Sequence, residues 1–173
     1  MTDWIYHKSD DNTCRYTLGV DGDKMLICCG INPSTAKPNE LDNTVRRLDR
    51  FAKDNGYDGY IMINIYPQIS TDPKNIHLDL DETIHKHNLK KLKRIFKVYP
   101  NSDIWAAWGV LIETRQYFYQ SLKEMYSISK QYDLNWIHFN QLTKKGHPRH
   151  PLYLRADSEI FEFDIENYIE KHC

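Results

Sequence analysis

The segment Gly146-His147-Pro148-Arg149-His150-Pro151 sets an imidazole between two prolines. Fixed proline φ angles aim His150 at little further cost in entropy, and an aimed imidazole can exchange or share a proton near neutral pH. A His-Pro pair can also do no more than terminate a strand, so its meaning depends on what else reaches it. Three other clusters carry suitable groups. Gly30-Ile31-Asn32-Pro33-Ser34-Thr35-Ala36 and the run from Asn64 through Tyr66 to Thr71-Asp72-Pro73 are rich in amides and hydroxyls, and Trp108-Gly109 sets an aromatic against a turn. Trp108 can floor a stacking pocket or pack the core.

A charged set stands beside them. Lys144, Lys145 and Arg149 form a basic patch in a chain of net charge -1, which excludes the overall basic field of a DNA-coating protein but leaves local phosphate binding open. Asp42 or Asn43 caps a helix whose first turn carries Thr44, Arg46 and Arg47. Free N–H groups there attract anions, so Thr35, Thr44 and Arg46 are phosphate candidates, with a capped, solvated helix start as the alternative.

The elements that must position these groups follow from periodicity. Trp4 to His7 and Arg15 to Leu18 flank a polar turn and predict an amino-terminal hairpin. Met25 to Gly30, Tyr60 to Ile65, Ile104 to Trp108 and Asn135 to Asn140 read as buried strands. Helices are predicted over Asp42 to Asn55, Asp81 to Val98, Val110 to Tyr126 and about Ser158 to His172. Fourfold alternation of strand and helix predicts a three-layer α/β/α sandwich, with a mainly parallel four-stranded sheet preceded by the hairpin. The functional groups would then meet beyond the strands' carboxyl ends.

At 173 residues, 40% hydrophobic and 27% charged, the chain reads as one ordinary globular domain over residues 1–173. Its amino terminus has no signal-peptide pattern and no stretch approaches membrane-spanning length, so a cytoplasmic monomer is expected, with no membrane or protein partner. The four cysteines lack C-x-x-C spacing and read as reduced thiols. His85 and His87 cannot share a helix face, and His138 and His147 have no ligands at zinc spacing. Neither a metal nor a cofactor is expected.

Two resemblances attach to the motifs. Gly30 to Ala36, Asp42-Asn43-Thr44-Val45-Arg46-Arg47 and Gly146 to Leu154 resemble the signatures of a bacterial and phage family of unknown function, over nearly the whole chain. More distantly, Gly30-Ile31-Asn32-Pro33, Tyr60 to Asn64 with Thr71-Asp72-Pro73, and His150-Pro151-Leu152-Tyr153-Leu154-Arg155 are similar to motifs of the uracil-DNA glycosylase superfamily. That similarity implies a uracil-DNA glycosylase-like fold, a nucleic-acid or nucleotide partner, and cleavage of the N-glycosidic bond of a damaged or modified base. It implies that Asn32 positions the attacking water, Asn64 reads a base edge, His150 stabilises the departing base and Leu152 wedges into a duplex. Gly30, Ile31, Pro33, Ser34, Thr35, Tyr66, Trp108, Arg149 and Tyr153 would line the substrate site. Tyrosine at position 66, where a cluster ligand could fall, argues against an iron-sulfur cluster, and Arg149 beside His150 is expected to disfavour a protonated imidazole. A non-catalytic module that binds a nucleotide or single strand in the same cleft is the alternative reading.

Overall fold

A computed structural model describes all residues, 1–173. Its strands are β1 (Trp4–Lys8), β2 (Arg15–Val20), β3 (Met25–Gly30), β4 (Gly59–Asn64), β5 (Asp103–Ala106), β6 (Asn135–Phe139) and β7 (Ile160–Glu162). The helices are α1 (Asn43–Asp54), α2 (Glu82–Val98), α3 (Tyr117–Lys130) and α4 (Ile165–His172). All seven strands form one mixed sheet in the order β1-β2-β4-β3-β5-β6-β7. Pairs β4-β3, β3-β5 and β5-β6 are parallel, and the three outer pairs are antiparallel.

The sequence explains this order. In β3, β4 and β5 every second residue points to one face: Ile27, Cys29, Ile61, Ile63, Ile104 and Ala106 pack with α2, α3 and α4. Leu26, Cys28, Tyr60, Met62 and Trp105 pack on the other face against Val45, Leu48, Phe51 and Ala52 of α1. Burial on both faces is what near-continuous apolar strands require. Asp42 Oδ1 accepts the Val45 N–H at 2.9 Å and so starts α1, and Asp81 caps α2 in the same way through Ile84. Cys14, Cys28 and Cys29 are buried free thiols, and Cys173 is an exposed one. No helix is long and apolar enough to cross a membrane.

Three expectations require correction. The sheet has seven strands rather than four, because the hairpin is not a separate preface: β2 pairs antiparallel with β4 through Leu18–Met62, Gly19–Ile61 and Val20–Tyr60. A Cβ on Gly19 would lie 2.0 Å from the Tyr60 carbonyl oxygen, so glycine permits that close pairing. The helix expected from Val110 to Tyr126 is a 3-10 segment, Gly109–Thr114, followed by α3. Arg115 breaks it with an extended backbone, its guanidinium donating to the carbonyls of His77, Lys74 and Ile76. The last helix begins only at Ile165 with Asp164 as its cap, because Ile160–Glu162 instead covers the otherwise open edge of β6.

Phe51 packs against both Trp105 and Phe139, with ring centroids 5.2 and 4.9 Å away. Phe51→Ala should therefore cost about 3–5 kcal/mol in urea denaturation; a loss below about 1 kcal/mol would contradict this packing.

Candidate functional site

The parallel strands end side by side, Gly30 opposite Asn64. Beyond them lies a recess of about 70 Å³ lined by Arg15, Gly30, Ile31, Asn32, Pro33, Asp42, Asn64, Trp108 and His150, among others. It adjoins an outer cleft of about 590 Å³ that shares Asn32, Ser34, Asp42, Thr44, Trp108 and His150 and adds Arg149, Leu152 and Tyr153. The recess is several times larger than the ~10–15 Å³ needed to admit a water, and the outer cleft falls within the usual size of small-molecule sites. Four loops from separate strands thus meet at one edge.

Asn32 holds the loops together. Its Nδ2 donates to the carbonyls of Pro33 and Ser70, both at 3.0 Å, with Gln68 more distant at 3.4 Å. The amide is thereby oriented, and only Oδ1 remains for a ligand or water. Backbone bonds from Ile65 to Gly30, Tyr66 to Ile31 and Ser70 to Pro33 continue the β3-β4 ladder into the loops. From below, Asn88 of α2 donates to the Asn64 carbonyl at 3.0 Å.

Asn64 is the anomaly in this frame. Its side chain is 1% exposed, yet neither Nδ2 nor Oδ1 has a partner within the protein. Gly30 leaves room beside that carboxamide, since a Cβ at position 30 would approach Asn64 Oδ1 to 3.0 Å and Met62 Cε to 2.8 Å.

His150 caps the 3-10 turn Pro151–Tyr153, with Pro151 opening it. Its Nδ1 accepts the Leu152 N–H at 3.2 Å, which places the proton of the neutral ring on Nε2 as a donor. Burial pushes its pKa down to about 4, with Asp42 partly opposing. The expectation that Arg149 would be the cause is corrected: Arg149 donates to the Gln141 carbonyl instead, and desolvation dominates. Gly109, at φ +61°, holds this turn closely, because a Cβ there would lie 3.4 Å from His150 Cβ. Its N–H donates to the Pro148 carbonyl at 2.9 Å.

Trp108 combines both of its alternatives: it borders the cleft while fully buried. Its Nε1–H donates to Tyr168 Oη at 3.0 Å. The Tyr168 proton is then free only for His147 Nδ1, 2.7 Å away, and His147 Nε2–H donates to Glu113 at 3.0 Å. This directed chain ties α4 to the wall of the cleft.

Several expected site residues lie elsewhere. Tyr66 is buried under α2, bonded to His77 and the Asp81 N–H, and so does not line the cleft. Thr35 is exposed outside it, as is Arg46, whose guanidinium turns to Asn43. Lys145 pairs with Glu113, and Lys144 points to solvent outside the cleft. Among the lining residues that sequence reasoning did not place in the site are Arg15 and Asp42, the latter expected only as a helix cap. Arg15 reaches the site because β2 runs antiparallel, which brings its first residue to the edge where β3 and β4 end; its N–H donates to the Pro67 carbonyl at 3.0 Å.

Fold and site define a mixed α/β protein with a polar cleft at the carboxyl ends of its central strands. A family model matches residues 15–152, and the chain belongs to that family, a protein family of unknown function (DUF1643). Comparison with curated proteins and with solved structures gave no match.

The state of His150 has a pH consequence. Its folded pKa, about 4, lies below the ordinary 6.5, so between those values the unfolded chain binds more protons and stability falls as pH drops through that window. His150→Gln should lose less stability than the parent between pH 6.5 and 4 in thermal melts. Equal losses would show that the imidazole is not held neutral.

Proposed function

We propose that the chain recognises a nucleobase in this cleft and hydrolyses its N-glycosidic bond, as the similarity of its loops to the uracil-DNA glycosylase superfamily suggests. The observation that carries the reading is Asn64. A buried carboxamide without partners costs about 1–3 kcal/mol, and it offers a donor and an acceptor side by side, the pair that a base edge complements.

In the reaction, a water oxygen forms a bond to the anomeric carbon while the bond from that carbon to the base nitrogen breaks, its electron pair leaving with the base. One water proton goes to solvent and the base takes up another. Asn32 Oδ1 holds the water. His150 Nε2–H donates a hydrogen bond to the base as negative charge develops; with a pKa near 4 the ring acts as a neutral donor rather than a proton source. Arg149 and Thr44 face the outer cleft and take the phosphate contacts expected of Lys144, Lys145 and Arg46. Leu152 and Tyr153, 43% and 80% exposed at its lip, offer an apolar wedge and a stacking face to a nucleic-acid strand.

Non-catalytic binding in the same cleft is the second reading. It is favoured by the internal use of the Asn32 amide, which leaves only an uncharged oxygen to activate water.

Mass-spectrometric detection of base release decides between them, using single- and double-stranded DNA containing uracil, mismatches and common lesions, with free deoxynucleotides alongside. Release should fall about 100- to 1000-fold in His150→Ala. Asn64→Leu should lose release while its melting temperature stays level or rises, because an unpaired amide is replaced by an apolar group. Absence of release from every substrate, with the protein folded, would leave the binding reading.

A further inference from the structure

Arg15 belongs to none of the loop motifs and takes no part in the reaction above. It is 2% exposed and lines only the recess and not the outer cleft, as does Asn64. Nη1 donates to the Ala36 carbonyl at 2.9 Å. Nε is buried without a partner, and no carboxylate lies within salt-bridge distance; Asp42 acts on it only from farther off. Burial lowers its pKa to about 10, the mark of a cation stripped of water without an adjacent counter-charge.

A buried arginine that braced the sheet would be expected to spend its fork on a carboxylate or on several carbonyls. Arg15 spends one nitrogen. Because Nη1 is the nitrogen on the same side as Cδ, its bond to Ala36 leaves the opposite edge, where Nε–H and Nη2–H run parallel. Two parallel donors match two adjacent acceptors.

We infer that Arg15 anchors the ligand: the recess takes a group with two adjacent hydrogen-bond acceptors, either the O6/N7 edge of a 6-oxopurine or two oxygens of a phosphate. This rests on the cleft being the ligand site and names the group that the recess takes; it does not depend on base release. The recess, about 70 Å³, admits the leading edge of a ring or one small anion, with the rest in the outer cleft. An amino group in that position, such as N6 of adenine, would set donor against donor away from water. Lysine supplies the charge without the fork.

The test is an NMR-detected titration of the parent, R15Q and R15K with guanosine, 7-deazaguanosine, adenosine and inorganic phosphate, folding being checked by circular dichroism. Guanosine or phosphate should bind the parent, and affinity should fall at least about tenfold in both variants. Guanosine binding about tenfold more tightly than its 7-deaza analogue and than adenosine assigns the acceptor pair to the base. Phosphate binding that both variants lose, with the nucleosides silent, assigns it to an anion. Parent-like affinity in R15K overturns the fork, parent-like affinity in R15Q overturns Arg15 as the anchor, and no binding of any probe overturns the acceptor-pair class. Arg15-dependent binding without base release would remove the hydrolysis proposal alone.

Discussion

The Asn32 carboxamide, clamped between the carbonyls of Pro33 and Ser70, is the contact on which the cleft depends. It fixes the loop after β3 against the loop after β4 just past the point where the ladder ends. It adds to the backbone bonds from Ile65 to Gly30, Tyr66 to Ile31 and Ser70 to Pro33, which join the same two loops. With it, and with Asn88 holding the end of β4 from beneath, the recess stays open at a defined width. The opposite wall is set independently, by Gly109 against the Pro148–His150 turn and by the bond from Trp108 to Tyr168.

Inside that frame the polar groups are held in states that folding alone does not favour. Asn64 has an unpaired amide, Arg15 a largely unpaired guanidinium, and His150 a ring kept neutral by burial. Each is costly in isolation, on the order of 1–3 kcal/mol for an unmet buried hydrogen bond, and all three border one small volume. Elsewhere His147 uses both ring nitrogens and Arg115 binds a row of carbonyls, while single atoms of His85, Asn88, Trp105, Ser121 and His138 are also buried without a partner. The recess differs in that both polar atoms of one carboxamide, Asn64, and the Nε of a cation, Arg15, lack partners beside the same small volume, an arrangement that suits a ligand.

Much of this was legible from residue types. The apolar runs from Met25 to Gly30 and Tyr60 to Ile65 mark strands buried on both faces, and the prolines around His150 mark an aimed side chain. Arg15 was not legible, because its place depends on a pairing across the chain: only when β2 joins β4 antiparallel does residue 15 arrive beside residue 64. Periodicity also could not separate β7 and α4 within the final segment, since Ile160–Glu162 becomes a strand by completing the edge of β6 rather than by its own pattern. Tyr66 shows the reverse failure. Its position in a polar loop suggested the cleft, but its ring is buried with residues of α2 and α3 and its hydroxyl meets His77 and the Asp81 N–H.

The most direct test of the recess as the ligand site is to follow the Asn64 side-chain amide and the Arg15 Nε–H by nitrogen-15 NMR while a bound nucleoside or phosphate saturates the protein. Both signals should shift in step with occupancy, because each gains its missing partner. Saturation that moves residues of the outer lip, such as Tyr153, and leaves Asn64 and Arg15 unchanged would contradict the account.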